Sequence, residues 1–247
     1  MSTRVGVDVG GSGVKAGIVD VDSGELISKR LRLDTPEPST PDAVAATVKE
    51  LVDQLDAPGP IGLGFPAVVR RGWVSTANNI DPSWIGVNAL DVFEPLVGRE
   101  IRMINDADAA GLAEVRYGAA KGVSGKVLVL TFGTGIGSAL LLDGQLVPNI
   151  EAGQLELEGI RPAEKKYSAR ARRAEDLTWD QWGRRAREFI TLAHEVFTPD
   201  LIIIGGGISK YWDEYSSHVT FGEVRTRRAA LVNNAGIIGA AALAFSD

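Results

Sequence analysis

The sequence predicts an α/β fold with two lobes around a cleft, and three observations support this prediction. A strand–glycine turn–strand pattern occurs twice, helices and strands alternate between the copies, and the composition suits a protein with a sizeable core. Of the 247 residues, 45% are hydrophobic and 23% are charged, which is the usual balance of a globular protein. This length is enough for one large domain or two modest lobes.

The first copy of the pattern lies at the N-terminus. Val5–Val9 predicts a strand, residues 10–13 (Gly-Gly-Ser-Gly) a tight turn, and Val14–Val19 a second strand. β-branched residues follow the turn, which favours a strand over the helix that a dinucleotide-binding fold requires there. This context argues against a nicotinamide-dependent oxidoreductase, the class that glycine-rich turns would otherwise suggest.

Helices and strands alternate after the first copy. Thr40 as N-cap and Pro41 at the first position predict a helix, which apolar residues at helical spacing continue. Ile61–Phe65 and Ile101–Ile104 then predict two short buried strands, and a helix over Ala107–Tyr117 follows the second of them.

The second copy comprises strands over Val127–Thr131 and Ser138–Leu142, joined by the glycine-rich turn 132–137. Placing Gly10 on Gly133 aligns the two copies without a gap. A structural unit that recurs in this way indicates a duplicated, two-lobed architecture.

A long helix and a further strand follow the second copy. Thr178 and Gln181 form a capping box at the start of the helix. We interpret Trp179 and Trp182, on its apolar face, as core residues and not as residues that stack on a ligand. Leu201–Ile204 predicts the strand that comes next.

Charge and composition narrow the classes of function. The formal net charge is −6, and no basic patch dominates, which argues against nucleic-acid binding. There is no apolar run long enough to span a membrane and no signal peptide at the N-terminus, so we expect a cytoplasmic protein without membrane association. The sequence contains no cysteine, which excludes disulfides and thiolate metal sites.

Both glycine-rich turns suit phosphate, because glycine allows several backbone N–H groups to converge on one anion. The alternative is that both are ordinary hairpin turns, but two turns in register with an adjacent lysine favour phosphate binding. The candidate phosphate-binding residues are Gly10, Gly11, Ser12, Gly13, Lys15, Gly133, Thr134 and Gly135.

Polar residues in two regions are candidates for chemistry. Asp106 follows a strand and opens a helix, where ligands of α/β proteins collect, although position alone favours an N-cap role. Glu151, Gln154 and Glu156 follow the second hairpin. Such a cluster is usually a solvated face, but it also suits sugar hydroxyls. A loop containing Asn79 could bind the same ligand.

Five motifs together resemble the ROK family of sugar kinases and repressors in order and spacing, over nearly the whole chain. They are Asp8–Lys15, Gly64–Pro66, Asn105–Ala107, Gly133–Gly137 and Gly205–Gly207. The sequence is most similar to the short actinobacterial branch of polyphosphate glucokinases and glucomannokinases, which lacks the cysteine-rich zinc motif. We therefore expect no structural zinc.

The resemblance implies an actin-like ATPase (ribonuclease H-like) fold and a homodimer. It places the N-terminal lobe at residues 1–107 and the C-terminal lobe at 108–247, with a C-terminal helix, about 236–247, that can pack back on the first lobe. A repressor of the family would need a helix-turn-helix before the first glycine turn, and this sequence reaches that turn by Gly10.

The resemblance also implies roles for individual residues in phosphoryl transfer from polyphosphate or ATP to the 6-hydroxyl of a hexose. Asp106 matches the general base, and Asp8 matches the residue that holds Mg²⁺ through water. Residues 205–207 (Gly205, Gly206 and Gly207) match the segment beside the nucleotide base. Asn105, Glu151 and Glu156 match sugar-binding residues, and Gln154 stands where the family has histidine.

The glutamine at position 154 keeps two alternatives open: a kinase of another hexose or a cyclitol, or a catalytically weak sugar-binding protein. The phosphoryl donor is also open. A basic segment could guide polyphosphate, or it could be an exposed flexible loop. Its residues are Lys165, Lys166, Arg170, Arg172 and Arg173, with Lys121 as a further candidate.

Overall fold

The computed structural model describes residues 2–245, and it confirms the predicted α/β class. The strands are β1 (Thr3–Gly10), β2 (Gly13–Asp20), β3 (Glu25–Leu26), β4 (Leu31–Leu33), β5 (Ile61–Phe65), β6 (Val69–Arg70), β7 (Trp73–Val74), β8 (Ile101–Asn105), β9 (Lys126–Phe132), β10 (Ile136–Leu142), β11 (Gln145–Val147), β12 (Leu201–Gly205) and β13 (Thr226–Arg228). The helices are α1 (Pro41–Val52), α2 (Ala89–Val97), α3 (Asp106–Arg116), α4 (Glu164–Tyr167), α5 (Ala169–Ala174), α6 (Trp179–Phe197), α7 (Trp212–Val219) and α8 (Ala235–Phe245).

The chain forms two compact units. The first contains residues 2–113 and 234–245, and the second contains residues 114–233. Each unit has its own sheet and its own buried apolar residues. Of the predicted C-terminal helix, the structure shows α8, and residues 246–247 lie outside the described part of the chain.

The first unit is built on a six-stranded sheet in the order β3-β2-β1-β5-β8, with β4 also paired to β2. Strand β1 pairs antiparallel with β2 and parallel with β5, and β5 pairs parallel with β8. The carboxyl ends of these three parallel strands meet at one edge, where Asp8, Gly64 and Ile104 are in register. Asp106, two residues beyond Ile104, follows at the same edge.

The second unit repeats this pairing. Its five-stranded sheet has the order β11-β10-β9-β12-β13. Strand β9 pairs antiparallel with β10 and parallel with β12, and β12 pairs parallel with β13. The strand–turn–strand duplication predicted from the sequence is therefore confirmed, and it extends to the two parallel strands that follow each hairpin.

Helix α8 packs on β1 and β5 of the first unit without intervening side chains. A Cβ atom at Gly6 would lie 2.0 Å from the carbonyl oxygen of Ile237, and one at Gly62 would lie 1.7 Å from that of Ala240. Real Cβ contacts essentially never fall below 3.0 Å. The helix backbone can therefore approach these strands only because both positions are glycine.

The helix-start predictions have mixed outcomes. Thr178 and Gln181 form both hydrogen bonds of the predicted capping box at α6. Thr40 precedes α1 and Pro41 is in its first turn, as predicted, but the Thr40 side chain makes no capping hydrogen bond. The basic segment folds as the short helices α4 and α5, so its interpretation as a flexible loop was wrong. Among residues 2–245, no helix combines the length and hydrophobicity that crossing a membrane requires.

Candidate active site

In the first unit, Asp8 and Lys15 lie opposite each other across the β1–β2 hairpin. Lys15 Nζ donates a hydrogen bond to Asp8 Oδ2 at 2.8 Å, and the side chains are 28% and 13% exposed. The first turn of α8 closes on the same carboxylate, because a Cβ at Gly236 would lie 2.6 Å from Asp8 Cγ. A cation and a helix N-terminus both stabilise negative charge, so the structure holds Asp8 in a defined position beside the first glycine loop.

The first glycine loop is supported from behind through its carbonyl groups. Thr35 Oγ1 donates to the Gly10 carbonyl at 2.6 Å, and Arg32 Nη2 donates to the Ser12 carbonyl at 3.0 Å. Gly11 lies against Asn79, whose carbonyl oxygen would be 3.2 Å from a Cβ at position 11. The loop and the predicted sugar-side Asn79 are thus neighbours.

Arg32 is a residue of this half-site that the sequence interpretation missed. It lies on β4, in register with Lys15, and also pairs with Asp34 at 2.8 Å. The available signal was its alternation with Leu31 and Leu33, which indicates a short strand. Three residues are too few to predict pairing with β2, and the position of Arg32 depends on that pairing.

Asn105, and not Asp106, is the N-cap of α3. Its Oδ1 accepts the backbone N–H groups of Ala107 at 2.8 Å and Asp108 at 3.1 Å, and its Nδ2 donates to the Ala67 carbonyl at 3.2 Å. Asp106 is the first residue of the helix, and its Oδ1 also lies 2.9 Å from the Ala107 nitrogen. Because Asn105 performs the capping, an N-cap role does not explain the aspartate at position 106.

In the second unit, the glycine loop between β9 and β10 is held by the helices of the basic segment. The Gly133 carbonyl accepts the backbone N–H of Arg170 at 3.0 Å. The backbone N–H of Ile136 donates to Glu164 Oε2 at 3.0 Å. The loop conformation therefore depends on α4 and α5, which are far from it in sequence.

Glu164 is a second residue that the sequence interpretation missed. It is 8% exposed, and its Oε1 accepts a hydrogen bond from Gln154 Nε2 at 3.3 Å. Residues around the helix that it begins were interpreted only as a basic segment, so its acidic side chain received no role. The structure brings Glu151, Gln154 and Glu164 together, whereas Glu156 is exposed.

Burial raises the pKa of Glu151 above its ordinary value of 4.5, and the negative charge of Glu164 raises this pKa further. Ionisation of Glu151 is therefore more costly in the folded chain than in the unfolded chain. Burial of this carboxylate lowers the free energy of unfolding at neutral pH. Its presence despite that cost suggests a role in ligand binding.

We expect Glu151→Gln to stabilise the protein at neutral pH. A carboxyl group with a raised pKa in the folded state binds more protons folded than unfolded, so stability falls as pH rises from about 4.5 through the raised pKa. The gain from the substitution should be largest at neutral pH and shrink below pH 4.5. Urea denaturation of both proteins between pH 4 and pH 8 measures this. A pH-independent difference would contradict it, and Glu156→Gln, at the exposed position, is the control.

One of the predicted nucleotide-side glycines, Gly207, lines a cavity in the second unit together with part of the second glycine loop. The cavity has a volume of about 460 Å³, and Gly133, Thr134 and Gly207 form part of its wall. Trp182 is fully buried as predicted, but Trp179 is only partly buried and also lines this cavity. Trp179 packs against the buried core of this unit, so the core prediction is confirmed for Trp182 and holds only in part for Trp179.

Gly206 and Gly207 have different reasons to be glycine. Gly206 has a φ of +81°, and a Cβ there would lie 2.5 Å from the Phe132 carbonyl oxygen, whereas nothing lies within 4 Å of a Cβ at Gly207. We expect Gly206→Ala to lower the free energy of unfolding by about 1–3 kcal/mol, and Gly207→Ala to change it by less than about 0.5 kcal/mol. Urea denaturation of the two variants measures this, and equal effects would contradict it.

Comparison with known proteins identifies relatives over the full length. The profile described as ROK family matches residues 4–155. The chain is 47% identical to a polyphosphate glucokinase of Mycobacterium tuberculosis (strain CDC 1551 / Oshkosh) over 245 residues, which is 98% of this chain and 91% of that protein.

Solved structures agree with this result. The inorganic polyphosphate/ATP-glucomannokinase from Arthrobacter sp. strain KM has a TM-score of 0.93 and 44% identity, with 98% of this chain and 97% of that chain covered. A ROK family glucokinase from Streptomyces griseus, in complex with glucose and AMPPNP, has a TM-score of 0.86 and 25% identity, with coverage of 98% and 99%. The predicted actin-like fold is confirmed.

Proposed function

The chain belongs to the ROK family, and from this premise we propose that it is a kinase that phosphorylates the 6-hydroxyl of glucose with polyphosphate or ATP. Mannose is a second acceptor in this proposal, because the Arthrobacter relative is a glucomannokinase. The structural observation that carries the proposal is at the start of α3, where Asn105 caps the helix and Asp106 begins it, directly after strand β8.

Asp106 is the general base in the proposed reaction. Its carboxylate accepts the proton of the 6-hydroxyl as the hydroxyl oxygen attacks the terminal phosphorus of the donor. The new bond joins that oxygen to phosphorus, and the bond to the bridging oxygen of the donor breaks, which releases the shortened phosphate chain or ADP. Phosphoryl transfer depends mainly on positioning and charge neutralisation, and the two glycine loops, with Lys15, supply them.

The sugar-binding residues include the cluster of the second unit. The carboxylates of Glu151 and Glu164 can accept hydrogen bonds from sugar hydroxyl groups, and the Gln154 amide can both donate and accept hydrogen bonds. Gln154 stands where the family has histidine, and its hydrogen bond to Glu164 fixes the position of the amide. A fixed amide can still bind a sugar hydroxyl, which supports glucose as the acceptor. Asn79 and Asn105 of the first unit are further sugar-side residues, and Glu156, although exposed, remains a candidate.

Mg²⁺ is the metal in the proposed reaction, and Asp8 would hold it through water. Mg²⁺ usually keeps several waters and binds one or two carboxylates together with substrate phosphates. Asp8, a single carboxylate beside the first glycine loop, fits this pattern. The ion would neutralise charge on the transferring phosphoryl group.

The remaining parts of the proposal concern organisation. In this proposal the two compact units correspond to the N-terminal and C-terminal lobes of the kinase. We also propose that the protein is a homodimer, as is usual in the family. A cytoplasmic location is the second part of this proposal, and a sequence without cysteine is compatible with that reducing compartment.

A coupled assay for glucose 6-phosphate, with polyphosphate and ATP tested separately, examines the proposed function. We expect glucose-dependent turnover with at least one donor, and none with 6-deoxyglucose, which lacks the accepting hydroxyl. Folded protein that fails to phosphorylate glucose with either donor would contradict the proposal.

A further inference from the structure

The cavity of the second unit has an unusual distribution of charge. Arg172, Arg173 and Lys210 line it, and its eleven lining residues include no aspartate or glutamate. The chain as a whole carries a net charge of −6. A cationic cavity on an acidic protein concentrates anionic ligands locally, against the overall field of the molecule.

Three nearby cations of this unit are paired with carboxylates, but the three in the cavity are not. Lys166 pairs with Glu158, Arg184 with Asp180 and Arg185 with Glu175. Within the described residues 2–245, Arg172, Arg173 and Lys210 form no ion pair with a carboxylate. Their charges are therefore available to a ligand in the cavity.

The aromatic wall of the cavity holds Arg172 in a defined orientation. The guanidinium carbon lies 3.7 Å from the centre of the Trp179 ring, and the Tyr211 ring packs on the same indole at 4.5 Å. A stacked guanidinium keeps its in-plane N–H donors available in a fixed fork that matches phosphate. Arg172 Nε is buried without a hydrogen-bond partner in the described part of the chain.

This arrangement favours charge over base stacking as the basis of recognition. A purine gains affinity by stacking on an aromatic face, but Arg172 and Tyr211 already pack on the Trp179 indole. A linear chain of phosphates needs no aromatic face for binding, and each of its phosphate units carries a negative charge. The glycine loop at Gly133 and Thr134 forms part of the same cavity wall, so a chain bound at the loop can extend towards the three cations.

We propose that Arg172, Arg173 and Lys210 form a subsite for inorganic polyphosphate, which binds the donor phosphates behind the one that is transferred. The inference rests on the proposed function for the identity of the reaction, and it adds the residues that distinguish polyphosphate from a nucleotide. The affinity of the subsite should increase with the length of the phosphate chain until the cavity is filled.

The double variant Arg173→Gln/Lys210→Gln tests the subsite, since both side chains are exposed and their loss should leave the fold intact. Hydrogen bonds to charged groups contribute enough that we expect KM for long-chain polyphosphate to rise about tenfold or more per charge removed. The rise in KM for ATP should be clearly smaller. The variant should also lose most of its preference for long-chain polyphosphate over tripolyphosphate.

The matched control is Lys49→Gln/Arg184→Gln, which removes the same two residue types and the same charge from exposed ion pairs outside the cavity. If the control loses as much affinity for polyphosphate, the overall charge of the protein would explain the loss, and the subsite would be overturned. Equal increases in KM for ATP and polyphosphate in the cavity variant would also overturn it, because the cations would then serve both donors alike.

Direct binding of long-chain polyphosphate, measured by calorimetry without glucose, separates this inference from the proposed function. Binding by the wild type that is lost in the cavity variant supports the subsite even if glucose is not phosphorylated. Unchanged binding by the cavity variant, in a protein that phosphorylates glucose, overturns the subsite and leaves the proposed function in place.

Discussion

Asp106→Asn should lower kcat about 10²–10⁴-fold with polyphosphate and with ATP, the range expected for loss of a general base. Asparagine has nearly the same shape as aspartate but cannot accept the proton of the 6-hydroxyl. The substitution should leave the start of α3 intact, because Asn105 supplies the capping hydrogen bonds to Ala107 and Asp108. Steady-state assays with each donor measure kcat, and calorimetry with glucose measures whether the sugar still binds.

Asp42→Asn provides the matched control for this experiment. Asp42 lies in the first turn of α1 in the same unit, so the change repeats the loss of a carboxylate at a helix start away from the proposed site. We expect it to leave kcat unchanged. A kcat for Asp106→Asn within about tenfold of the wild type would exclude Asp106 as the general base, whatever the control shows.

Strands bounded by glycine or proline could be predicted from the sequence because their signals are local. The Ile61–Phe65 strand was predicted with its observed bounds, and both hairpins were found. The helices α4 and α5 were missed because they are short and depend on tertiary contacts, such as the hydrogen bond from the Arg170 N–H to the Gly133 carbonyl.

The candidate site was predictable to the extent that its residues carry motifs. Sequence alone could not decide whether Asp106 is a cap or a reactive group, because both readings predict an acidic residue at a helix start. The hydrogen bonds of Asn105 show that Asn105 is the cap, and the reactive role of Asp106 stays a prediction. Arg32 contacts the first glycine loop because of the register between β4 and β2, and Glu164 contacts the second because of the position of α4. No local sequence pattern indicates either feature, so both residues were missed.

The glycines beneath α8 show the same limit, and they lead to the largest expected effect on stability. We expect Gly62→Ala to lower the free energy of unfolding by about 3 kcal/mol or more, since a Cβ at this position would lie 1.7 Å from the Ala240 carbonyl oxygen and 2.2 Å from its carbon. Backbone atoms cannot move aside as a flexible side chain can, so the helix must leave the strand. Urea denaturation measures the loss.

Gly64→Ala is the matched control, because it lies two residues along the same strand and its Cβ would meet nothing closer than 3.4 Å. A small effect there beside a large effect at Gly62 would assign the loss to the helix contact and not to glycine in a strand. Equal effects would contradict this packing argument. The first turn of α8 also closes on Asp8 through Gly236, so a helix displaced by Gly62→Ala should disturb the proposed metal-binding carboxylate as well as the fold.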